Sequence, residues 1–431
     1  ESLGVLVFRR QLGPEIIEIY AHGRGSDVEL MLCDDAPPET QTLLTLGEVG
    51  LDGATRRLRL GPYAALVVLR RSSVVVRRVA SEVIEHSAER LAEAYRQGRT
   101  AGLLLPSKLY LTVTERCNLR CQHCITLAPE KTASRTARTL QPWLLDALEE
   151  ALQSASYFGF SHGGESLVAP QFFEVLRRIK RAKQGRPYDV HLLSNGMLLD
   201  ADMLEKLIEL GVTSLAVSLD GGSAAVNDEI RSGCDFDRVI HHLRHAAAVR
   251  RELRADLRIG VSTVVLRQNV AELPLLAQLV CDLGLDWLKV EEGYPVNVFA
   301  SESLLRPDSR RVQEAVAAAR AIVEPNGVIL VDHLSPPIGC RCQEKSVPGL
   351  SEFRATDDFA NRAVFRPCRA AWEVACVDPD GTVHAGDYGA TALGSLAEQS
   401  FVELWNGAHA EAVRRDALGQ IMPSLRRNCP A

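Results

Sequence analysis

The stretch Lys108-Leu-Tyr-Leu-Thr-Val-Thr-Glu-Arg-Cys117-Asn-Leu-Arg-Cys121-Gln-His-Cys124 decides the fold. Its first half alternates apolar with polar residues and carries β-branched side chains, which predicts a strand over 109–114. Its second half puts three thiols within eight residues, a density that selects zinc, copper or an iron–sulfur cluster. The strand therefore delivers a soft-metal site to its carboxyl end, where barrel-like α/β folds build active sites.

Working outward, strand and helix alternate from Leu109 on. Strands are expected over 109–114, 157–161, 188–194, 212–219, 256–265 and 286–291, and amphipathic helices over 139–154, 170–184, 200–210, 235–251 and 270–284. This order predicts an α/β fold, a partial (β/α)6 TIM-like barrel spanning 106–298. Polar or glycine-rich loops follow several strands: Ser161 to Glu165, Ser194-Asn195-Gly196, Ser218 to Gly222 and Glu291 to Tyr294. All are expected on the rim that carries the cysteines.

Residues 1–105 read as a mostly β module: short runs at Gly4 to Phe8, Ile16 to His22, Val28 to Cys33, Arg57 to Leu60, Ala64 to Leu69 and Ser73 to Val79, closed by a helix from Ala80 to Gly98. Cys33 there is read as a buried small hydrophobe. Residues 299–431 read as an irregular extension with a helix over 308–323, a strand from Val328 to Asp332, a hairpin turn at Asp378 to Gly381 and helix over 396–418. This extension holds Cys340, Cys342, Cys368, Cys376 and Cys429, whereas Cys234 and Cys281 sit in helical context and are expected to be structural.

With 431 residues, 46% of them apolar, the chain can bury a large core or several smaller ones. A net charge of −6 argues against nucleic acid or an anionic membrane as the main partner, and the pairs Arg56-Arg57, Arg70-Arg71 and Arg77-Arg78 read as solvated faces. Eleven cysteines in a chain this long, an odd number, do not make a disulfide framework. With no apolar run long enough to span a bilayer and no signal-like segment before the first strand, a cytoplasmic location is expected.

Three ligands from one loop leave a fourth metal position open. His123 could close a Cys3His zinc site, but it is the immediate neighbour of Cys124 and adjacent ligands fit poorly on one tetrahedron. Gly163 and Gly164 would let backbone approach a ligand closely, Glu165 could accept a hydrogen bond from an ammonium group, and Asp220 could take a sugar hydroxyl.

The spacing C-x-x-x-C-x-x-C at a strand end resembles the cluster loop of radical S-adenosylmethionine (radical SAM) enzymes. The resemblance implies that Cys117, Cys121 and Cys124 ligate three irons of a 4Fe-4S cluster, while S-adenosylmethionine chelates the fourth. It assigns Gly163-Gly164-Glu165 to the methionine amino group, and Ser194, Asn195, Ser218 and Asp220 to the methionine and ribose parts. One electron would then cleave the cofactor to methionine and a 5′-deoxyadenosyl radical that abstracts hydrogen. A one-electron donor such as flavodoxin or ferredoxin is implied as a partner.

Pro367-Cys368, Val377 to Val383, Gly394 to Leu396, Leu404 to Asn406 and Cys429 resemble the SPASM or twitch extensions that carry auxiliary clusters. The expected cysteine after the glycine turn is replaced by His384-Ala385-Gly386-Asp387. A second cluster drawing on Cys340, Cys342, Cys368, Cys376 and Cys429, with His384 or Asp387 assisting, is favoured over an extension that kept its fold and lost its metal.

Glu291, Tyr294 and His333 are the expected substrate residues, with Glu292, Asn297, Cys340 and Cys342 as further candidates. Only one of Glu291 and Glu292 can face the lumen of a regular strand. Relatives with such extensions mature ribosomal peptides or modify aminosugars and aminocyclitols. The apparent lack of the three helices that complete a leader-peptide module tilts the reading to a small polyol or aminosugar in natural-product biosynthesis. A ribosomal-peptide maturase and a non-catalytic metal-binding scaffold are the alternatives.

Overall fold

The computed structural model describes the backbone of seven N-terminal strands and residues 82–306, 309–334, 369–386 and 391–418. Cys33, Ser73 to Val79, Cys340, Cys342, Cys368, Asp387 and Cys429 lie outside the described residues. The chain divides into two compact units, Glu1–Val83 and Ile84–Ala431.

In the first unit β1 (Val5–Leu12), β2 (Glu15–His22), β3 (Val28–Met31), β4 (Thr40–Leu46), β5 (Val49–Asp52), β6 (Arg57–Leu60) and β7 (Ala65–Arg70) form two antiparallel sheets. Their orders are β1-β2-β7-β4 and β3-β6-β5. Strands β4 and β5 were not expected from sequence. In β4 the register shifts between Thr42 and Leu44, so the period of two that marks a strand is broken midway.

The second unit is organised on a ten-stranded sheet of order β14-β13-β12-β11-β10-β9-β8-β15-β16-β17. Strands β8 (Lys108–Leu111), β9 (Tyr157–Phe160), β10 (Asp189–Ser194), β11 (Ser214–Ser218), β12 (Arg258–Val265), β13 (Trp287–Glu292) and β14 (Ile329–Asp332) are parallel throughout. The six expected strands are β8 to β13, and β14 continues their series. Phe158, Phe160, Val190, Leu192, Leu215, Val217, Ile259 and Val261 are all buried and, two apart along each strand and in register between strands, line one face of the sheet.

Helices α1 (Glu82–Arg96), α2 (Ala128–Ala133), α3 (Pro142–Ala147), α4 (Glu149–Ser154), α5 (Gln171–Lys183), α6 (Ala201–Glu209), α7 (Ala224–Ile230), α8 (Phe236–Glu252), α9 (Leu273–Asp282), α10 (Val298–Ser303) and α11 (Arg310–Val323) connect them. Sequence periodicity supplies the apolar faces: Phe172, Val175, Leu176 and Ile179 of α5, and Val239, Leu243, Ala246 and Ala247 of α8, are buried. Asp200 and Asp235 accept from Met203 N and Arg238 N and so start α6 and α8. The single helix expected over 139–154 is two short ones, α3 and α4.

At the other edge β15 (Val374–Val377), which follows the short helix α12 (Ala370–Glu373), pairs parallel with β8. The strands β16 (Thr382–Ala385) and β17 (Ala392–Ser395) continue antiparallel, with the expected turn at 378–381 closing the β15–β16 hairpin. Helices α13 (Phe401–Trp405) and α14 (Ala408–Leu418) complete the unit. Helix α1 belongs here too: Leu91 and Ala94 enter this core, and Tyr95 meets Trp372 edge-on at 5.1 Å. Because β15 runs parallel to β8, its carboxyl end lies on the rim where the loop after β8 begins.

Candidate functional site

Residues 115–127 leave the end of β8 as a loop whose shape is fixed from several sides. Cys117 N donates to Thr132 Oγ1 at 3.1 Å, Thr126 Oγ1 to Gly163 O at 2.6 Å, and Asn297 Nδ2 to Gln122 O at 2.9 Å. Arg120 N and Gln122 N donate to Ser232 O and Ile230 O at 2.8 and 3.0 Å. Those two bonds place Cys121 opposite Arg231. Asn297, expected to touch substrate, is spent on this strap and on capping α10 through Ala300 N.

Cys117, Cys121 and Cys124 are free thiols of intermediate exposure. Burial, helped by charge on Glu165, Cys121 and Cys124 and opposed by the hydrogen bond from Leu119 N, pushes the Cys117 thiol up to about 11. Burial also raises Cys121, with Arg231 opposing. Metal binding overrides both effects, since a coordinating thiol is deprotonated outright.

Gly163 and Gly164 lie against the chain that leaves β8. A Cβ on Gly164 would lie 1.9 Å from Arg116 O, and one on Gly163, at φ +97°, 2.5 Å from Thr112 Cγ2. Gly164 N and Glu165 N donate to Thr114 O and Arg116 O, both at 2.8 Å. The glycines thus let this loop lie backbone to backbone against the start of the cysteine loop.

Glu165 is 3% exposed and accepts from Ser194 Oγ at 3.0 Å, Asn195 N at 2.7 Å and Leu167 N at 3.2 Å. Burial pushes its carboxyl above the usual range, against those bonds. A carboxylate offers about four acceptor positions, so one is left for a ligand. Asn195 Nδ2 donates to Asn118 Oδ1 at 2.7 Å and lies 3.9 Å from Cys117 Sγ, tying the third strand end to the cysteine loop.

Asp220 has no position left for a ribose hydroxyl. Its side chain is fully buried; Oδ1 accepts from Val264 N at 2.8 Å and Thr263 Oγ1 at 3.4 Å, and Oδ2 meets Arg231 Nη1 at 2.7 Å and His123 Nε2 at 3.3 Å. Burial raises its pKa, but Arg231 and His123 outweigh that and hold it far below the usual carboxylate range. Ser218 ends β11 opposite Ser262 and is half-buried.

Comparison with known proteins now bears on this geometry. Residues 111–280 match the model of the radical SAM superfamily, and residues 368–430 match the SPASM iron-sulfur cluster-binding domain. The chain carries a radical SAM domain followed by a SPASM domain. A tungsten-containing aldehyde ferredoxin oxidoreductase cofactor-modifying protein of Pyrococcus furiosus is 31% identical over 44% of this chain and 52% of its own length. Mycofactocin maturase MftC of Mycobacterium tuberculosis is 28% identical over 45% and 46%. The chain thus spans about half the length of these first relatives. PqqA peptide cyclase of Granulibacter bethesdensis is 24% identical over 75% of this chain and 79% of its own. Among solved structures, Streptococcus suis SuiB bound to its precursor peptide SuiA has a TM-score of 0.53 at 15% identity, covering 80% of this chain and 75% of that one, which is a likeness of fold.

The radical SAM domain takes a 4Fe-4S cluster and S-adenosylmethionine as cofactors, and the residues present fit that group. Among the described residues no three His, Cys, Asp or Glu side chains converge on one point as a single ion demands. A cubane needs no such point, because each thiolate takes a separate iron. His123, the alternative zinc ligand, is engaged by Asp220 instead. Arg231 Nε is buried with no hydrogen-bond partner among the described residues, which leaves a donor near the cysteine loop for an acceptor-rich group.

The SPASM match implies an auxiliary iron–sulfur cluster. Of its expected cysteine ligands only Cys376 is described: it sits inside β15 at 1% exposure with Sγ 3.6 Å from Gly386 O. His384 Nε2 is 3.4 Å from Asp378 Oδ2. His162, at the end of β9, has its pKa lowered to about 4 by burial, partly offset by Asp378.

Of the substrate candidates, Glu291 faces its own ion pair: Oε2 lies 3.0 Å from Lys289 Nζ, and Oε1 accepts from Ser262 Oγ at 2.7 Å. Burial raises this carboxyl, but Lys289 and His333 prevail and hold it below its ordinary value. Glu292 is exposed, so the pair divides between two faces as expected. Tyr294 is half-buried and His333 is buried, with His333 N donating to Val290 O. Among the described residues no helix is long and apolar enough to cross a membrane.

Proposed function

We propose that this chain reductively cleaves S-adenosylmethionine and abstracts hydrogen from a ribosomally made peptide. The observation that carries the chemistry is the rim loop of three half-buried thiols, braced by the second, third and fourth strand-end segments before any cofactor arrives. The peptide reading draws support from the names of the relatives: a peptide cyclase spanning three quarters of this chain, and a maturase. SuiB, similar in fold, was solved with a precursor peptide. The expectation of a small polyol, aminosugar or aminocyclitol finds no support among these proteins, and the peptide alternative replaces it. That expectation rested on the N-terminal module, whereas the family likeness lies in the barrel and the extension.

When bound, the cluster and S-adenosylmethionine supply one-electron cleavage and a 5′-deoxyadenosyl radical. Cys117, Cys121 and Cys124 would hold three irons. Glu165, with one acceptor position remaining, would take the cofactor ammonium, while Ser194 and Asn195 keep its carboxylate in place. Glu291 and Lys289 present a half-buried charge pair at the end of β13 that can orient a polar peptide group; Tyr294 and His333 flank the same strand end. The electron comes from a partner of the flavodoxin or ferredoxin class.

Anaerobically reconstituted protein, reduced with dithionite, should release 5′-deoxyadenosine, and Cys121→Ala should reduce that release to background. Cluster-loaded protein that releases none is a scaffold, and the catalytic reading falls. Deuterium should pass into 5′-deoxyadenosine from labelled peptide; transfer from a labelled aminosugar instead would overturn the substrate assignment.

A further inference from the structure

An ion pair buried beneath the cysteine loop is left unused by the reading above. Arg231 follows α7, its side chain is 11% exposed, and Nη1 meets the fully buried Asp220 carboxylate at 2.7 Å. Such pairs are seldom worth their desolvation as stabilisers alone, so their position is the informative fact. Here the position is fixed twice. The carboxylate is pinned by Val264 N, Thr263 Oγ1 and His123 Nε2, and the arginine backbone is flanked by the two bonds that strap Arg120 and Gln122 to residues 232 and 230. Residue 231 therefore stands opposite Cys121 across those two bonds, and its guanidinium is held in a low-dielectric setting where a unit charge acts strongly. His123 and Cys234 are the other polar groups facing this pair.

We propose that Arg231, held in place by Asp220, sets the reduction potential of the cluster ligated by Cys121. This rests on the cluster assignment above. The added electron, supplied by an external one-electron reductant, resides on the cluster; a fixed cation beside one thiolate stabilises the reduced form, and the anion behind it moderates that effect. Arg231 acts through the cluster and touches no substrate, so it is a positioning residue whose signature is a potential.

The test is a potentiometric titration of reconstituted full chain followed by electron paramagnetic resonance. Arg231→Gln leaves Asp220 unbalanced and should make reduction about tenfold harder, a shift of about 59 mV to more negative potential. Asp220→Asn leaves the cation unbalanced and should shift the potential the other way. Arg231→Lys should stay near wild type. Opposite signs in the first two variants support the proposal, because a purely structural role has no reason to produce them. Shifts of equal sign, unchanged potentials, or loss of iron in both variants with no retention in Arg231→Lys would overturn it. Wild-type protein that shows no reducible 4Fe-4S signal instead overturns the cluster assignment itself.

Discussion

The loop after β8 and the hairpin β15–β16 adjoin on one sheet, with β8 and β15 paired in parallel, yet they dispose of their thiols in opposite ways. Cys117, Cys121 and Cys124 lie beyond a strand end, half-buried, on backbone whose hydrogen bonds are met by neighbouring loops. Cys376 lies mid-strand, opposite Tyr110 on one side and His384 on the other, and is buried to 1%. A thiol becomes a ligand when the chain around it has left the sheet but has been fixed by something else. Cysteine density in sequence does not distinguish the two cases.

The largest expected effect comes from breaking what fixes the loop. Gly164→Ala would place a methyl carbon 1.9 Å from Arg116 O, a backbone atom that has no rotamer to escape into. The bonds Gly164 N to Thr114 O and Glu165 N to Arg116 O must open, at about 1–3 kcal/mol each. Thermal melts should show a loss of about 3–5 kcal/mol, and iron loading should fall with it. A variant that melts and loads like wild type would mean that the loop shape does not depend on this close approach.

Much of this rim was legible because it is local. Cysteine spacing, the Gly-Gly-Glu turn and strand–helix alternation each occupy a few consecutive residues, and five strand ends fell where alternation put them. The straps were not legible. Arg231 and Asn297 are remote in sequence from Cys121, and an isolated Arg after a helix, or an Asn before one, has no mark that predicts a tertiary hydrogen bond. The glycines were singled out for close approach, and the neighbour the fold shows at Gly164 is the backbone of Arg116. Asp220 shows the same limit: its residue type suits a sugar hydroxyl, and only the fold shows that Val264, Thr263, Arg231 and His123 surround it.

A middle-sized effect should come from the link between the two regions. Glu115, 5% exposed, binds Arg138 and Lys131, and Arg138 reaches on to Asp380 in the hairpin turn. Burial raises the Glu115 pKa, but those cations prevail and bring it from 4.5 to about 2. A carboxyl depressed in the folded state adds stability above its unfolded pKa and forfeits it as pH falls. The contribution of Glu115 should therefore be complete above pH 4.5 and fade toward pH 2. Glu115→Gln should cost about 1–3 kcal/mol at neutral pH. Denaturation measured across pH should show the wild-type and variant curves converging through that acid window; curves that stay parallel would mean that the pair contributes nothing to the link.

The smallest effect separates the two kinds of thiol directly. Cys376→Ala removes one buried sulfur flanked by Ala375 and Val377, both themselves buried, and gives up the contact with Gly386 O. For Cys376 to reach a metal, β15 would have to part from β16 at the Cys376–His384 position and expose a strand held on both edges. The substitution should thus cost about 1–2 kcal/mol by loss of packing and leave iron per chain unchanged. Cys124→Ala, beyond the strand end, should cost less in folding and remove the rim cluster's share of roughly four irons. If Cys376→Ala instead lowers iron by a comparable amount, this strand opens when the auxiliary cluster binds, and burial within a sheet would no longer separate structural thiols from ligands in this protein.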